Sequence, residues 1–143
     1  MKSMKTVRPY SRVLEMICAA GLRPTRQRLA LAKVLFENGN RHTTAEMLHI
    51  EAQAAHIRVS LATVYNTLRQ FTNAGLLREM VVDASRSYFD TNTSPHQHFF
   101  FEESGELVDI REELITLSDL PPPPEGTTID RVDVVVRVKA LKV

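Results

Sequence analysis

The apolar residues of this chain recur with two different periods. Between Arg12 and Gly75 they return every three or four positions, the spacing of helices with one buried face. Arg12 to Ala20 carries Val13, Leu14, Met16 and Ile17 and predicts a helix that stops at Gly21. Thr25 caps a second helix running to about Phe36, with Leu31, Val34 and Leu35 toward the core and Asn38-Gly39-Asn40 beyond its end. Thr43 and Glu46 have the spacing of a capping box and open a third helix, bearing Leu48, Ala52 and Ala55, that ends near His56. Ser60 caps a fourth helix that stops at Gly75, with Leu61, Val64, Leu68 and Phe71 as its buried stripe.

Beyond Gly75 the period becomes two. Leu76–Val82 and Arg86–Asp90 predict a hairpin turned by Asp83-Ala84-Ser85. His96–Glu102 and Glu106–Ile110 predict a second hairpin around Ser104-Gly105, with Phe99, Phe100 and Phe101 in the core. Arg111 to Leu120 reads as a short helix, and Pro121 to Pro124 as a stiff extended connector. In Val132–Val138, four valines alternate with Asp133, Val135 and Arg137, as in a strand with one well-buried face. The class is therefore α+β: an N-terminal winged helix-turn-helix over residues 1–90, followed by a small α/β dimerisation domain over residues 91–143.

Charge adds a direction to this plan. The formal net charge of +1 hides 12 basic and 6 acidic residues up to Asp83, against 6 basic and 11 acidic residues after it. A basic half suits a polyanion such as DNA. Cys18 is the only cysteine and reads as a small buried apolar residue, so no intramolecular disulfide and no Cys-x-x-Cys zinc site can form. No apolar run is long enough to span a bilayer. Lys2 and Lys5 are followed by no apolar stretch of a secretory signal, so a cytoplasmic location with no membrane partner is expected.

Two constellations carry candidate chemistry. On the fourth helix Ser60, Thr63, Tyr65, Asn66, Arg69 and Gln70 lie off the apolar stripe, and such side chains suit base edges and phosphates in a major groove. Arg23, Thr25, Arg26 and Arg28 gather where the second helix begins, a place for phosphate contacts. An ordinary amphipathic surface with solvated arginines would carry the same pattern. The second constellation is His96 and His98, two apart in a strand and so on one face, with Asp90 just before them. Asp109 ends the paired strand, where a hairpin can set it beside His98, and His42 precedes the third helix. Imidazoles with carboxylates suit Zn, Fe(II) or Mn(II) and not Ca. Exposed edge-strand histidines are the plainer alternative; His49 and His56 read as surface residues.

Taken together, four segments resemble the ferric uptake regulator family: Gly21–Arg28, Ser60–Leu68, Tyr88-Phe89-Asp90 and His96-Gln97-His98. Leu120–Gly126 and Asp130–Arg137 are similar to its iron response regulator branch. The resemblance implies a dimeric regulator of transcription that binds a double-stranded DNA operator, with the second domain sensing metal or haem. It places the family's regulatory metal site on His42, Asp90, His96, His98 and Asp109.

Several departures from the family pattern are visible. Phe101 and Ser104 stand where the family has a cysteine pair, so its structural zinc site, built on four cysteines, is absent. Pro95, Gln97 and Thr116 stand at the positions of the family's other metal site. The branch commonly has three consecutive histidines where this chain has His96-Gln97-His98, and Ala19 follows Cys18 where a haem-binding Cys-Pro would stand. Haem is thus one candidate cofactor beside a divalent Fe, Mn or Zn ion. The expected function is an iron-responsive repressor-type transcriptional regulator, not an enzyme. The alternatives are a Mn- or Zn-responsive regulator with no haem role and, more remotely, a small non-haem metalloenzyme.

Overall fold

The structure is a computed structural model that describes residues 10–142. Lys2 and Lys5, on which the expectation of no secretory signal rests, lie outside the described residues. The chain forms two compact units, one through Thr93 and one from Ser94. The class is α+β, a winged helix-turn-helix followed by a small unit in which the described residues form a three-stranded sheet and a 3-10 turn.

The first unit contains α1 (Ser11–Ala19), α2 (Arg26–Phe36), β1 (His42–Thr43), α3 (Ala45–Ala54), α4 (Leu61–Asn73), β2 (Arg78–Asp83) and β3 (Arg86–Asp90). Each helix presents its stripe to one core of Ile17, Leu31, Leu35, Leu48, Val64, Leu68 and Phe71, all fully buried. Phe36 and Phe71 meet with ring centroids 6.3 Å apart. The ends are set by side-chain caps. Thr25 Oγ1 accepts from Arg28 N at 3.2 Å, and Ser60 Oγ from Thr63 N at 3.0 Å. After α4 the chain must reverse into β2, and Gly75 does this at φ 83°. His56 makes the same left-handed turn after α3 at φ 59°, where a β-branched side chain would be strained but histidine is tolerated.

Three details of these helices differ from the sequence reading. The cap of α3 is Thr44, whose Oγ1 accepts from Met47 N at 3.1 Å, because Thr43 is held in β1. The helix closes at Ala54, and Ala55 is exposed. Leu61 is 39% exposed and lies ahead of the buried stripe of α4. Thr67 takes its place in the stripe, its hydroxyl satisfied by the Thr63 carbonyl at 2.8 Å. Cys18 is exposed: Val13 and Ile17 fill the core side of α1 and leave the next position outside.

The wing is antiparallel, in the order β1-β3-β2. Its tip is an Asx turn in which Asp83 Oδ1 accepts from Ser85 N and Ser85 Oγ, both at 2.9 Å. Arg86 Nε donates to the second oxygen at 2.8 Å. These bonds hold the Asp83 carboxyl well below the usual carboxylate range, the Arg86 guanidinium contributing most.

The second unit is a sheet of β4 (His96–Phe101), β5 (Leu107–Arg111) and β6 (Val135–Val138), in the order β5-β4-β6. β4 pairs antiparallel with β5 and parallel with β6. Strand alternation splits the three phenylalanines: Phe100 is buried, whereas Phe99 and Phe101 are 37% and 39% exposed. Of the helix expected over Arg111–Leu120 only a 3-10 turn, Glu112–Leu114, forms. Leu114, Leu117 and Leu120 remain exposed, so the segment has no packed face to support a helix. The last strand begins at Val135, three residues later than its valine pattern predicts, and its residues are at most half-buried. Val134 N is taken up by Gln97 Oε1 at 2.6 Å instead.

Candidate functional site

The polar face of α4 starts at its cap. Ser60 Oγ also donates to Thr63 Oγ1 at 3.0 Å, so both side chains are engaged at the helix start. Asn66, Arg69 and Gln70 are exposed, and Thr63 and Tyr65 are half-buried. The Tyr65 ring packs on the core and stands edge-on to Phe89, with centroids 6.3 Å apart at 88°. Packing thus fixes where the ring lies.

The basic group on α2 divides. Arg23 and Arg26 are exposed. Arg28 donates to Gln70 Oε1 from Nε and Nη2 at 3.2 and 2.9 Å, and to the Arg23 carbonyl at 2.9 Å. Its guanidinium ties the start of α2 to α4. Thr25 serves as the cap of α2. The Arg28 role could not be read from charge, which marks a side chain as basic but not as engaged.

In the first unit, His42 and Asp90 are register partners in β1 and β3, with His42 Nε2 3.4 Å from Asp90 Oδ2. Asp90 is almost fully buried, and its Oδ1 accepts from Asn92 N at 2.8 Å. The short β1 is pinned from outside the ladder. Arg41 N donates to Thr91 Oγ1 at 2.8 Å, Thr91 N donates to the Arg41 carbonyl at 3.0 Å, and the Arg41 guanidinium forks onto Glu51 at 2.6 and 2.7 Å. Sequence reasoning missed β1, and a two-residue strand leaves no periodicity to find.

In the second unit, His96, His98 and Phe100 share the buried face of β4. Asp109 is the register partner of His98 on β5. His96 Nε2 and His98 Nε2 lie 3.5 and 3.3 Å from the same oxygen, Asp109 Oδ1. The two rings are 4.5 Å apart, tilted by 60°. His96 Nδ1 faces the Ser94 carbonyl at 2.6 Å. A carbonyl only accepts, so Nδ1 donates to it and Nε2 is the ring nitrogen left to face Asp109. A ligating histidine is oriented in this way. Gln97 points elsewhere, its amide bonding the backbone at Val132 and Val134. It therefore bridges backbone segments and is not a ligand.

These spacings fit a metal ion. Donors at about 2.1 Å from a metal, at tetrahedral or octahedral angles, lie roughly 3.0–3.4 Å from one another. Asp109 with each histidine, and His42 with Asp90, stand within about 0.1 Å of that range. The donors are imidazole nitrogen and carboxylate oxygen, which suit Fe(II), Mn(II) or Zn(II). Phe101 and Ser104 are exposed and supply no thiolate. No helix among the described residues is long and apolar enough to cross a membrane.

Comparison with known proteins is consistent in its direction. Residues 19–122 match the sequence model of the ferric uptake regulator family. The peroxide-responsive repressor PerR of Staphylococcus aureus (strain Mu50 / ATCC 700699) is 36% identical over 92 residues, 64% of this chain and 62% of the repressor. The chain thus spans 62% of the length of that curated relative. Among solved structures, the ferric uptake regulator from Pseudomonas aeruginosa with manganese superimposes with a TM-score of 0.68 at 25% identity, over 90% of this chain and 98% of that one. The Vibrio cholerae ferric uptake regulator gives a TM-score of 0.70 at 23% identity, over 88% and 98%, and shares the fold.

Proposed function

Because the chain belongs to the ferric uptake regulator family, we propose that it is a metal-responsive transcriptional regulator, a cytoplasmic homodimer whose α4 reads double-stranded DNA. The observation that carries the reading is the convergence of His96, His98 and Asp109 at ligand spacing, in a chain that also has a winged helix with an exposed polar face on α4. The ligands that the family resemblance implies for a divalent cation are His42, Asp90, His96, His98 and Asp109. The ion can regulate DNA binding only through its different affinity for the binding and non-binding arrangements. Iron is the proposed native metal, on the resemblance of Leu120–Gly126 and Asp130–Arg137 to the iron response regulator branch.

On α4, Asn66 and Arg69 contact bases, joined by the Tyr65 hydroxyl, Ser60 and Thr63. Arg23 and Arg26 contact phosphate, and Thr25 and Arg28 act through the placement of α2. The three histidines and two carboxylates serve as ligands, and a regulatory role requires no catalytic acid, base or nucleophile.

The test is duplex selection from a random pool with full-length protein, followed by gel shifts in chelator and in Mn(II), anaerobic Fe(II), Zn(II) or haemin. A selected sequence whose affinity changes with a divalent metal supports the proposal. Binding that is indifferent to every metal, or no preferred sequence, overturns it. A haemin Soret shift lost in both His96→Ala and His98→Ala assigns haem as the effector. Metal uptake without any haem spectrum assigns the ion alone.

A further inference from the structure

The row of side chains that begins with His42 does not end at Asp90. Across the three-stranded wing, His42 pairs with Asp90, and Asp90 pairs with Arg78. Register partners in antiparallel strands point to the same side, with Cβ atoms about 4.5–5.5 Å apart. Arg78 is therefore the immediate neighbour of Asp90 on the side opposite His42. The rest of that side of β2 is apolar, with Met80 and Val82 buried, so an arginine is out of keeping with the strand's pattern. Arg78 is 8% exposed and Asp90 1%, which leaves little water to screen one charge from the other. A guanidinium cannot discharge at any accessible pH.

We infer that Arg78 is a fixed counter-charge of the metal site, which weakens divalent-cation binding at Asp90 and so raises the free-metal concentration at which the site fills. The inference rests on the metal-site reading given above. Two charges compete for one buried carboxylate: the arginine, always present, and the metal, present only when it is abundant. In the metal-free protein Arg78 lies beside Asp90 as a standing positive charge. On metal binding the same charge lies one register position from a ligand of the dication, and the repulsion opposes occupancy. Arg78 is a positioning residue that acts through Asp90 and is not itself a ligand. An arginine that merely supported the wing would have the opposite effect, since its loss would loosen the carboxylate and weaken metal binding.

That difference in sign is the test. Mn(II) affinity is measured by competition with a chelator on full-length wild type, Arg78→Gln, Arg78→Met and Arg78→Lys, with circular dichroism to check folding. Two neutral variants of different packing are used so that a folding failure in one leaves the other. Either neutral variant should bind Mn(II) at least about tenfold more tightly, and Arg78→Lys should stay within about threefold of wild type. Unchanged or weaker binding in the folded neutral variants overturns the inference and leaves the site intact. Failure of the wild type to take up Mn(II), Fe(II) or Zn(II) overturns the site itself, and this inference with it.

Discussion

Replacing Asp109 with alanine separates a metal ligand from a structural counter-ion. Asp109 is 47% exposed, while His96 and His98, which it faces at 3.5 and 3.3 Å, are buried. In the metal-free protein a half-exposed polar contact of this kind is worth about 0–1 kcal/mol, so Asp109→Ala should shift the melting temperature by no more than about 3 °C. The metal-bound protein should behave differently. At a free metal concentration about 100 times the dissociation constant, binding to the folded state alone adds about 2.7 kcal/mol, roughly 8 °C for a chain of this size. Loss of a direct anionic ligand should weaken binding by about 100-fold or more, the upper end of what loss of an outer-shell partner costs. The same metal concentration then adds only about 0.4 kcal/mol, near 1 °C. The assay is thermal unfolding by circular dichroism, wild type and Asp109→Ala, in chelator and in Mn(II). A full metal-induced shift in the variant would show that Asp109 is no ligand. A metal-free melting point lower by about ten degrees would show that the carboxylate is needed to hold two buried imidazoles in place.

Three further outcomes follow from the first unit. Phe71 is fully buried against Phe36, so Phe71→Ala should cost about 3–5 kcal/mol in urea unfolding. Arg69 is exposed and Arg28 is bonded to Gln70 and Arg23. Arg69→Ala should therefore weaken binding to a selected duplex by about 1–3 kcal/mol with stability unchanged within about 0.5 kcal/mol, whereas Arg28→Ala should lower stability measurably; Tyr65→Phe is the matching test of the hydroxyl, because Tyr65→Ala would also remove the ring from Phe89. The Asp83 carboxyl is held below its ordinary value of 3.8, so its contribution to the wing is present above that pH and is lost as the pH falls below it. Wild type should lose stability more steeply below about pH 4 than Asp83→Asn, and parallel acid titrations of the two would remove this role for the turn.

The helices were legible because each combines an apolar period with a cap that names its start. Thr25 and Ser60 stand where the sequence places them, and α2 and α4 follow within a residue. The errors share a cause. Thr43 passes for a cap because a threonine followed three residues later by glutamate is a local signal, while its place in β1 depends on β3, more than 40 residues away. The helix expected at Arg111–Leu120 has an apolar period of three but nothing to pack on, and short helices depend on packing. Phe99 and Phe101 passed for core residues because hydrophobicity says what a residue prefers, and strand alternation says where it points.

The candidate site divides along the same line. A His-x-His in a strand and an aspartate across a hairpin are local, so the approach of His96, His98 and Asp109 follows from period and turn length alone. His42 and Asp90 meet only through β1, whose two residues carry no pattern, and its place is secured by Arg41, Thr91 and Glu51 at a distance in sequence. Resemblance could therefore nominate His42, but periodicity could not. Arg78 escaped both routes. It is the one charge among Arg78, Met80 and Val82 on the buried side of β2, and only the register sets it beside Asp90. Charges that break a strand's apolar pattern are costly to bury, so a chain that keeps one next to a buried carboxylate has tied that position to the carboxylate's chemistry.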